Sequence, residues 1–230
     1  MTRRVAILQS NYIPWKGYFD IINLVDEFVL YDEVQYTRRD WRNRNQIKTP
    51  GGLLWLTIPV QVKGKYTQRI MDTVVSEPDW PQRHWASITH NYARAGGFAE
   101  YRGVLSDLYG SVHETLLSQI NHRFLTTLCQ LLGIRTRLSW STDYPRQTED
   151  RTRRLVEICR QLGATEYLSG PAARSYLDES AFAAAGIRVQ YMNYDGYAEY
   201  EQVHPPFCHA VSIIDLLLNT GAAARRYMKS

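Results

Sequence analysis

The sequence predicts an α/β fold with a parallel-sheet core and a helical insertion. The chain opens with an apolar strand at 5–8, a helix at 16–24 and a second strand at 26–31, which is the order of a βαβ unit. A helical middle follows, and short strands then alternate with helices to the end. With 44% apolar residues, the 230-residue chain can bury a proper core.

Short apolar runs ended by polar residues predict the strands of the first part. They lie at 5–8, 26–31, 54–62 and 70–75. Pro59 indicates that the third is an edge strand, because proline cannot donate to a neighbouring strand. The segment 37–52 is predicted to be irregular and basic.

Three consecutive helical patterns form the middle of the chain. They lie at 80–92, 98–109 and 111–132. Ser111 and Glu114 have the spacing of a capping box and predict the start of the third helix, which Gly133 ends. We expect one composite domain over residues 1–230, with an α/β core at about 1–77 and 133–230 and a helical segment at about 78–132.

Strands and helices alternate in the last part. Strands are predicted at 134–139, 166–169 and 187–191, and helices at 148–162, 171–176, 180–185 and 212–218. The helix at 148–162 keeps apolar residues at helical spacing and ends at Gly163. Ser212 and Asp215 form a second capping box, which gives Asp215 a structural role.

Composition and charge exclude several classes of protein. A formal net charge of +4 is small for a bulk nucleic-acid-binding protein, although it leaves room for a local basic patch. The sequence has neither a long apolar run nor a signal-peptide pattern, so we expect a cytoplasmic protein without membrane insertion. Three scattered cysteines predict reduced thiols. We predict no metal, no disulfide and no cofactor.

Three polar loops are predicted to meet at one edge of the sheet, where open α/β proteins bind ligands. They lie at 9–18, 32–49 and 167–171, and the helical segment 78–132 is predicted to cover part of the pocket that they form. The predicted substrate-binding residues are Gln9, Asn11, Tyr12, Trp15, Lys16, Tyr18, Gln35, Trp41, Arg42, Asn43, Arg44, Asn45, Lys48, Ser169 and Gly170. Arginine forks match phosphate oxygens, and a lysine at a helix start favours an anion. Two plainer interpretations stay open: a packed loop at 9–18 and a solvated basic loop at 31–49.

Three residues are candidates for a general base. Asp32 follows a strand, and an ion pair with a neighbouring arginine is the competing interpretation of its role. His84 and His209 are reserve candidates. The group His204, Cys208 and His209 has no nucleophile signature and no standard metal spacing, so a structural role is open for it.

A series of motifs resembles one known family. They are QSNYIPWKGYFD, DEVQY, WRNRNQIKT, WLTIPV, YLSG and FCHAVSIIDLLLNTG. In this order, from about residue 5 to residue 221, they resemble the WbqC-like protein family. The resemblance implies a role in the biosynthesis of bacterial O-antigen and other cell-surface polysaccharides.

The start of the chain also resembles nucleotidylyltransferase-like α/β proteins such as pantothenate synthetase, and this implies a core of that type. In that superfamily a His-x-Gly-His motif contacts nucleotide phosphates. Trp15 and Tyr18 stand at the two histidine positions here. Lys16 and the arginine run would then have to supply the positive charge.

These features predict a transferase that modifies a nucleotide-linked amino sugar by amide formation from an activated acyl or aminoacyl donor. The predicted partner is a nucleotide-sugar or another phosphate-bearing small molecule, and aminoacyl-tRNA is an alternative donor. Arg42 and Arg44 are expected to be exposed charges that hold the phosphates together with Lys48. Two other functions stay open: ATP-dependent nucleotidyl transfer or carboxylate adenylation, and a non-catalytic binding protein of a polysaccharide assembly complex.

Overall fold

A parallel sheet lies at the centre of the computed structural model, which describes residues 2–230. The strands are β1 (Arg4–Leu8), β2 (Glu27–Leu30), β3 (Arg44–Thr49), β4 (Gly52–Thr57), β5 (Arg137–Trp140), β6 (Glu166–Ser169) and β7 (Arg188–Tyr191). Five of them form the sheet in the order β5-β2-β1-β6-β7, and every neighbouring pair is parallel. The predicted α/β class with a parallel sheet is confirmed.

Helices cover both faces of this sheet. They are α1 (Lys16–Asn23), α2 (Trp80–Tyr92), α3 (Phe98–Gly110), α4 (Leu117–Leu131), α5 (Arg151–Gln161), α6 (Glu179–Ala184) and α7 (Ile213–Thr220). Within residues 2–230, none of them has the length and apolar character needed to cross a membrane.

Alternate residues of β1 point into two separate hydrophobic clusters. Ala6 packs in the larger cluster, which contains the apolar sides of α1, α4 and α7. Val5 and Ile7 pack in the smaller cluster with Ile158 of α5 and Phe182 of α6. Because both faces are buried, the central strands are continuous apolar runs.

The order of the strands creates a switch point between β1 and β6. From β1 the chain builds one half of the sheet through β2 and β5, and it then returns to build the other half through β6 and β7. The loops that follow β1 and β6 therefore leave in opposite directions. Such a divergence opens a crevice at the carboxyl ends of the strands, where ligands bind in this class of fold.

The segment predicted to be irregular contains a strand. β3 pairs with β4 in an antiparallel hairpin, and Gly52 takes the positive φ of 109° that follows the turn. The sequence does not predict β3, because its buried face contains Asn45 as well as Ile47 and the alternation of apolar residues is lost.

The strand predicted at 70–75 is also wrong. Ile70–Asp72 form a 3-10 turn, and only isolated bridges follow at Val74 and Val75. The Arg69 guanidinium donates to the Asp72 carboxylate at 2.6 Å, so a local ion pair supports the turn.

Both predicted capping boxes are wrong, because neither forms the two reciprocal hydrogen bonds of that motif. α4 begins at Leu117 without a side-chain cap, because Glu114 accepts from Arg123 at 3.0 Å instead. Ser212 does cap α7, since its hydroxyl accepts from the Ile214 N–H at 3.2 Å. Asp215 does not reach back to complete the box, because the Tyr92 and Tyr200 hydroxyls donate to its carboxylate.

Candidate functional site

The loop after β1 and the loop before β3 are joined by backbone and amide hydrogen bonds. The Tyr12 N–H donates to the Trp41 carbonyl at 3.1 Å. The Asn45 side chain donates to the Tyr12 carbonyl at 3.2 Å. These bonds place the first two predicted loops side by side at the carboxyl edge of the sheet.

Arg42 fastens the same two loops together. Its guanidinium donates to the carbonyls of Gln9, at 3.2 Å, and Ser10, at 3.4 Å, and to the side-chain oxygen of Asn11. Asp40 lies 3.6 Å away. The expectation that Arg42 is an exposed charge is wrong: its side chain is only 13% exposed, because loop carbonyls take up its donors.

Asp32 is buried where three elements meet. It accepts from the Ser10 N–H at 2.8 Å and from the Ser118 hydroxyl of α4 at 2.5 Å. Burial raises the pKa of the Asp32 carboxyl, and these hydrogen bonds oppose the rise. The competing interpretation, an ion pair of Asp32 with an arginine, is wrong within residues 2–230, where Arg42 pairs with Asp40. Asp32 therefore ties the loop after β1 to α4.

His84 is part of a buried chain of hydrogen bonds. The Thr57 carbonyl lies 3.1 Å from Nε2 and can only accept, which assigns the ring proton to Nε2. Nδ1 then accepts from the Tyr12 hydroxyl at 2.9 Å, and Tyr12 accepts from the Tyr109 hydroxyl at 2.7 Å. Burial lowers the pKa of His84 to about 4, so the ring is neutral near pH 7.

Both lysines that were predicted to bind the substrate point into the protein. Lys16 donates to the Ala198 carbonyl at 3.2 Å, and its ammonium lies 4.6 Å from the centre of the Tyr197 ring. Burial lowers the pKa of Lys16 to about 8. Lys48 is also buried and donates to the Pro206 carbonyl. The two lysines therefore contact the segment 197–206 rather than open solvent.

His209 lies just after that segment and is only half-buried. Its ring packs against Phe207, with centroids 4.5 Å apart, and against Tyr197 at 6.2 Å. Its Nδ1 is buried and has no hydrogen-bond partner within residues 2–230. Burial lowers the pKa of His209, and the nearby charge of Lys16 lowers it further. A neutral, partly exposed imidazole can accept a proton at pH 7.

A basic cleft of about 520 Å³ opens beside β3. Three arginines line it, namely Arg38, Arg39 and Arg44, and none forms an ion pair with a carboxylate of residues 2–230. Arg39 has a φ of 59°, which is costly for a residue with a side chain. This turn lets the Arg39 carbonyl accept from the Arg44 guanidinium. Asn43 also lines the cleft and is 6% exposed.

Two predicted residues of the first loop pack rather than project. The Trp15 indole contacts Tyr194, with centroids 4.9 Å apart, and covers Gly17 so closely that a Cβ there would lie 2.3 Å from the indole. The Tyr18 hydroxyl donates to the Gln9 carbonyl at 2.9 Å.

The remaining predicted residues are not among those that line the basic cleft. Ser169 is buried at the end of β6, and a Cβ on Gly170 would lie 3.8 Å from the Tyr194 hydroxyl. Gln35 is exposed and donates to the Tyr66 carbonyl at 2.8 Å. Trp41 is exposed beside the hairpin.

Several residues of this region were missed by sequence reasoning. Asn121 donates to the Ser10 hydroxyl and to the Arg42 carbonyl, both at 2.9 Å. Ser118 and Asn121 are three residues apart, so they share one face of α4. Polar residues on an otherwise apolar helix face are the signal that could have revealed them.

Comparisons with known proteins cover nearly the whole chain. The model of the WbqC-like protein family matches residues 9–227. The chain is 51% identical over 227 residues to a protein of Mycobacterium tuberculosis named "Uncharacterized protein Rv1507c", and the match covers 99% of this chain and 98% of that protein. No solved structure matches the chain significantly.

Proposed function

The chain belongs to the WbqC-like protein family, and we propose that it is a cytoplasmic transferase that modifies a nucleotide-linked amino sugar. Membership of this family suggests a role in polysaccharide biosynthesis. The proposed reaction is formation of an amide between the amine of the sugar and an activated acyl or aminoacyl donor.

The proposal rests mainly on the basic cleft. Its volume lies within the range of about 300–1,000 Å³ typical of small-molecule sites. Arg38, Arg39 and Arg44 bring three positive charges to it without a neutralising carboxylate in residues 2–230. Arginine forks bind phosphate oxygens in pairs, so the cleft suits a diphosphate.

We propose His209 as the general base, on the state of its ring alone, since it packs against Tyr197 and Phe207 and is not among the residues that line the cleft. In amide formation the amine attacks the acyl carbon, its proton passes to a base, and the leaving group departs from the donor with the bonding electrons. Both carboxylate oxygens of Asp32 accept bonds from the protein, and both ring nitrogens of His84 are engaged. In the half-buried ring of His209, Nδ1 is buried without a partner in residues 2–230, so the proton would be taken up at Nε2, which is not among the buried atoms.

The packing of Trp15 and Tyr18 weighs against the nucleotidyl-transfer alternative. By the resemblance of the start of the chain, these residues correspond to the two phosphate-binding histidines of nucleotidylyltransferases. Here the Trp15 ring packs on Tyr194, and the Tyr18 hydroxyl is bonded to a backbone carbonyl. Release of pyrophosphate from ATP would nevertheless reveal that chemistry.

Two further outcomes distinguish the remaining alternatives. An aminoacyl-tRNA donor would bind with a steep dependence on salt, since several counterions are released, whereas a diphosphate ligand would lose less affinity. A binding protein of an assembly complex would take up the nucleotide-sugar without any turnover.

The test is product formation by His209→Asn with Asp32→Asn as the comparison. A panel of activated acyl donors is incubated with a uridine-diphosphate amino sugar, and the amide is detected by mass spectrometry. We expect His209→Asn to lower turnover by about a hundredfold or more while ligand affinity is kept. Asp32→Asn should instead lower the melting temperature, because it removes a buried acceptor. Unchanged turnover in His209→Asn would refute the assignment.

A further inference from the structure

Two tryptophans lie exposed beside the basic cleft. Trp41 is 40% exposed and Trp55 is 39% exposed. Their rings touch, with centroids 5.4 Å apart and planes inclined by 39°. Trp55 is held in the hairpin opposite Gln46, and the Trp41 carbonyl accepts from the Tyr12 N–H. These two residues, called the tryptophan pair below, are therefore large rings on a fixed backbone.

The tryptophan pair is continuous with the cleft. The Arg44 guanidinium lines the cleft and lies 4.1 Å from the centre of the Trp55 ring. Thr57 also lines the cleft and follows Trp55 by two residues, so both face the same side of β4. A ligand held in the cleft thus has aromatic rings within the same surface.

Asn43, which lines the cleft, also has an unused hydrogen-bond acceptor. The Asn43 side chain donates from Nδ2 to the Ile58 carbonyl at 2.8 Å, which fixes the orientation of its amide. Its Oδ1 is buried and has no partner within residues 2–230. A buried acceptor of this kind is costly unless a ligand N–H or O–H reaches it.

We propose, resting on the proposed function, that the tryptophan pair is a stacking platform for the base of a nucleoside diphosphate. The two phosphates lie on Arg39 and Arg44, and Asn43 Oδ1 accepts a hydrogen bond from the nucleoside. Bases of any sequence stack on tryptophan faces, and the cation over Trp55 strengthens such a platform.

The surroundings of the tryptophan pair favour a nucleotide over other occupants. A symmetric dimer through this surface would place the same three arginines of two copies face to face, and like charges across an interface are costly. A long RNA needs a broad basic surface, whereas the net charge of the chain is only +4 and the cleft has the volume of a small-ligand site.

The experiment compares the binding of UDP and of inorganic pyrophosphate by titration calorimetry. The variants are Trp41→Ala and Trp55→Ala, and Tyr176→Ala is the control because its ring is 74% exposed elsewhere on the surface. We expect both tryptophan variants to bind UDP about tenfold to a hundredfold more weakly, the scale of one stacked base. Pyrophosphate affinity should not change, and Tyr176→Ala should behave as the wild type.

Every other result refutes either the platform alone or the platform together with the phosphate site. If the wild type binds neither probe, the phosphate site of the proposed function is refuted together with the platform. If UDP and pyrophosphate bind equally, or if the tryptophan variants keep their UDP affinity, only the platform is refuted. Equal loss of both probes would mean that the rings merely hold Arg44, which also refutes it. Sedimentation showing a dimer that the variants dissociate, or tighter binding of an RNA oligonucleotide than of UDP, would likewise refute the platform.

Discussion

Protonation of the His84 ring makes the free energy of unfolding depend on pH. Its pKa in the folded protein is about 4, whereas an unfolded histidine titrates near 6.5. Between these values the unfolded chain binds the extra proton, so the free energy of unfolding falls as the pH drops from about 6.5 to about 4. The loss approaches about 3 kcal/mol at the acid end.

Urea unfolding at pH 7 and pH 4.5 measures this effect. We expect His84→Gln to be less stable at pH 7 but to lose less stability than the wild type on acidification. His90→Asn is the control, since His90 is an exposed residue of the same helix. If the free energy of unfolding changes equally in the wild type and in His84→Gln between pH 7 and pH 4.5, His84 is not the group responsible.

At the scale of the residue, the sequence predicts the location of polar groups better than their direction. Asn11 and Arg42 do belong to adjacent loops, as their positions after strands indicate. The sequence does not reveal that Arg42 and Lys48 donate to backbone carbonyls inside the protein. Those carbonyls belong to segments distant in the chain, so no local pattern records the contact.

At the scale of the element, the packing of α3 against α7 depends on one glycine. A Cβ on Gly97, which precedes α3, would lie 2.5 Å from the Leu217 carbonyl oxygen and 2.5 Å from the Gly221 nitrogen, and both are backbone atoms. Gly97→Ala must therefore separate the two helices. We expect it to lower the free energy of unfolding by about 1–3 kcal/mol or more.

Gly103→Ala is the matched control for this packing. It lies within α3, and no atom comes within 4 Å of the position that a Cβ would take there. Alanine is the better helix former, so this variant should gain about 0.5–1 kcal/mol. Thermal unfolding of the two variants measures the difference in stability. A Gly97→Ala variant as stable as Gly103→Ala would disprove close packing of α3 against α7.

Periodicity explains which elements the sequence predicts. The helices α2 and α3 keep a regular apolar face, and the patterns at 80–92 and 98–109 agree with them closely. The hairpin strand β3 has no such pattern, since Asn45 takes a buried position. The capping box at Ser111 fails because Glu114 pairs with Arg123, nine residues later in the chain.

At the scale of the whole molecule, the end of the chain returns to the first loop. The Ser212 N–H donates to the Gln46 carbonyl at 2.9 Å, and its hydroxyl donates to the Ile13 carbonyl at 2.7 Å. The Ile213 N–H donates to the Pro14 carbonyl at 2.8 Å. Contacts between segments so far apart in the chain cannot be predicted from local pattern, although the parallel sheet could be.

The affinity for a phosphate-bearing ligand decides whether the basic cleft is the ligand site. Titration calorimetry with a uridine-diphosphate sugar compares the wild type with Arg44→Ala and with Arg102→Ala, an exposed arginine on α3. We expect Arg44→Ala to lose about 1.5–3 kcal/mol of binding free energy, the scale of a charged hydrogen bond, and Arg102→Ala to lose none. Wild-type affinity in Arg44→Ala, or an equal loss in both variants, would contradict the basic cleft as the ligand site.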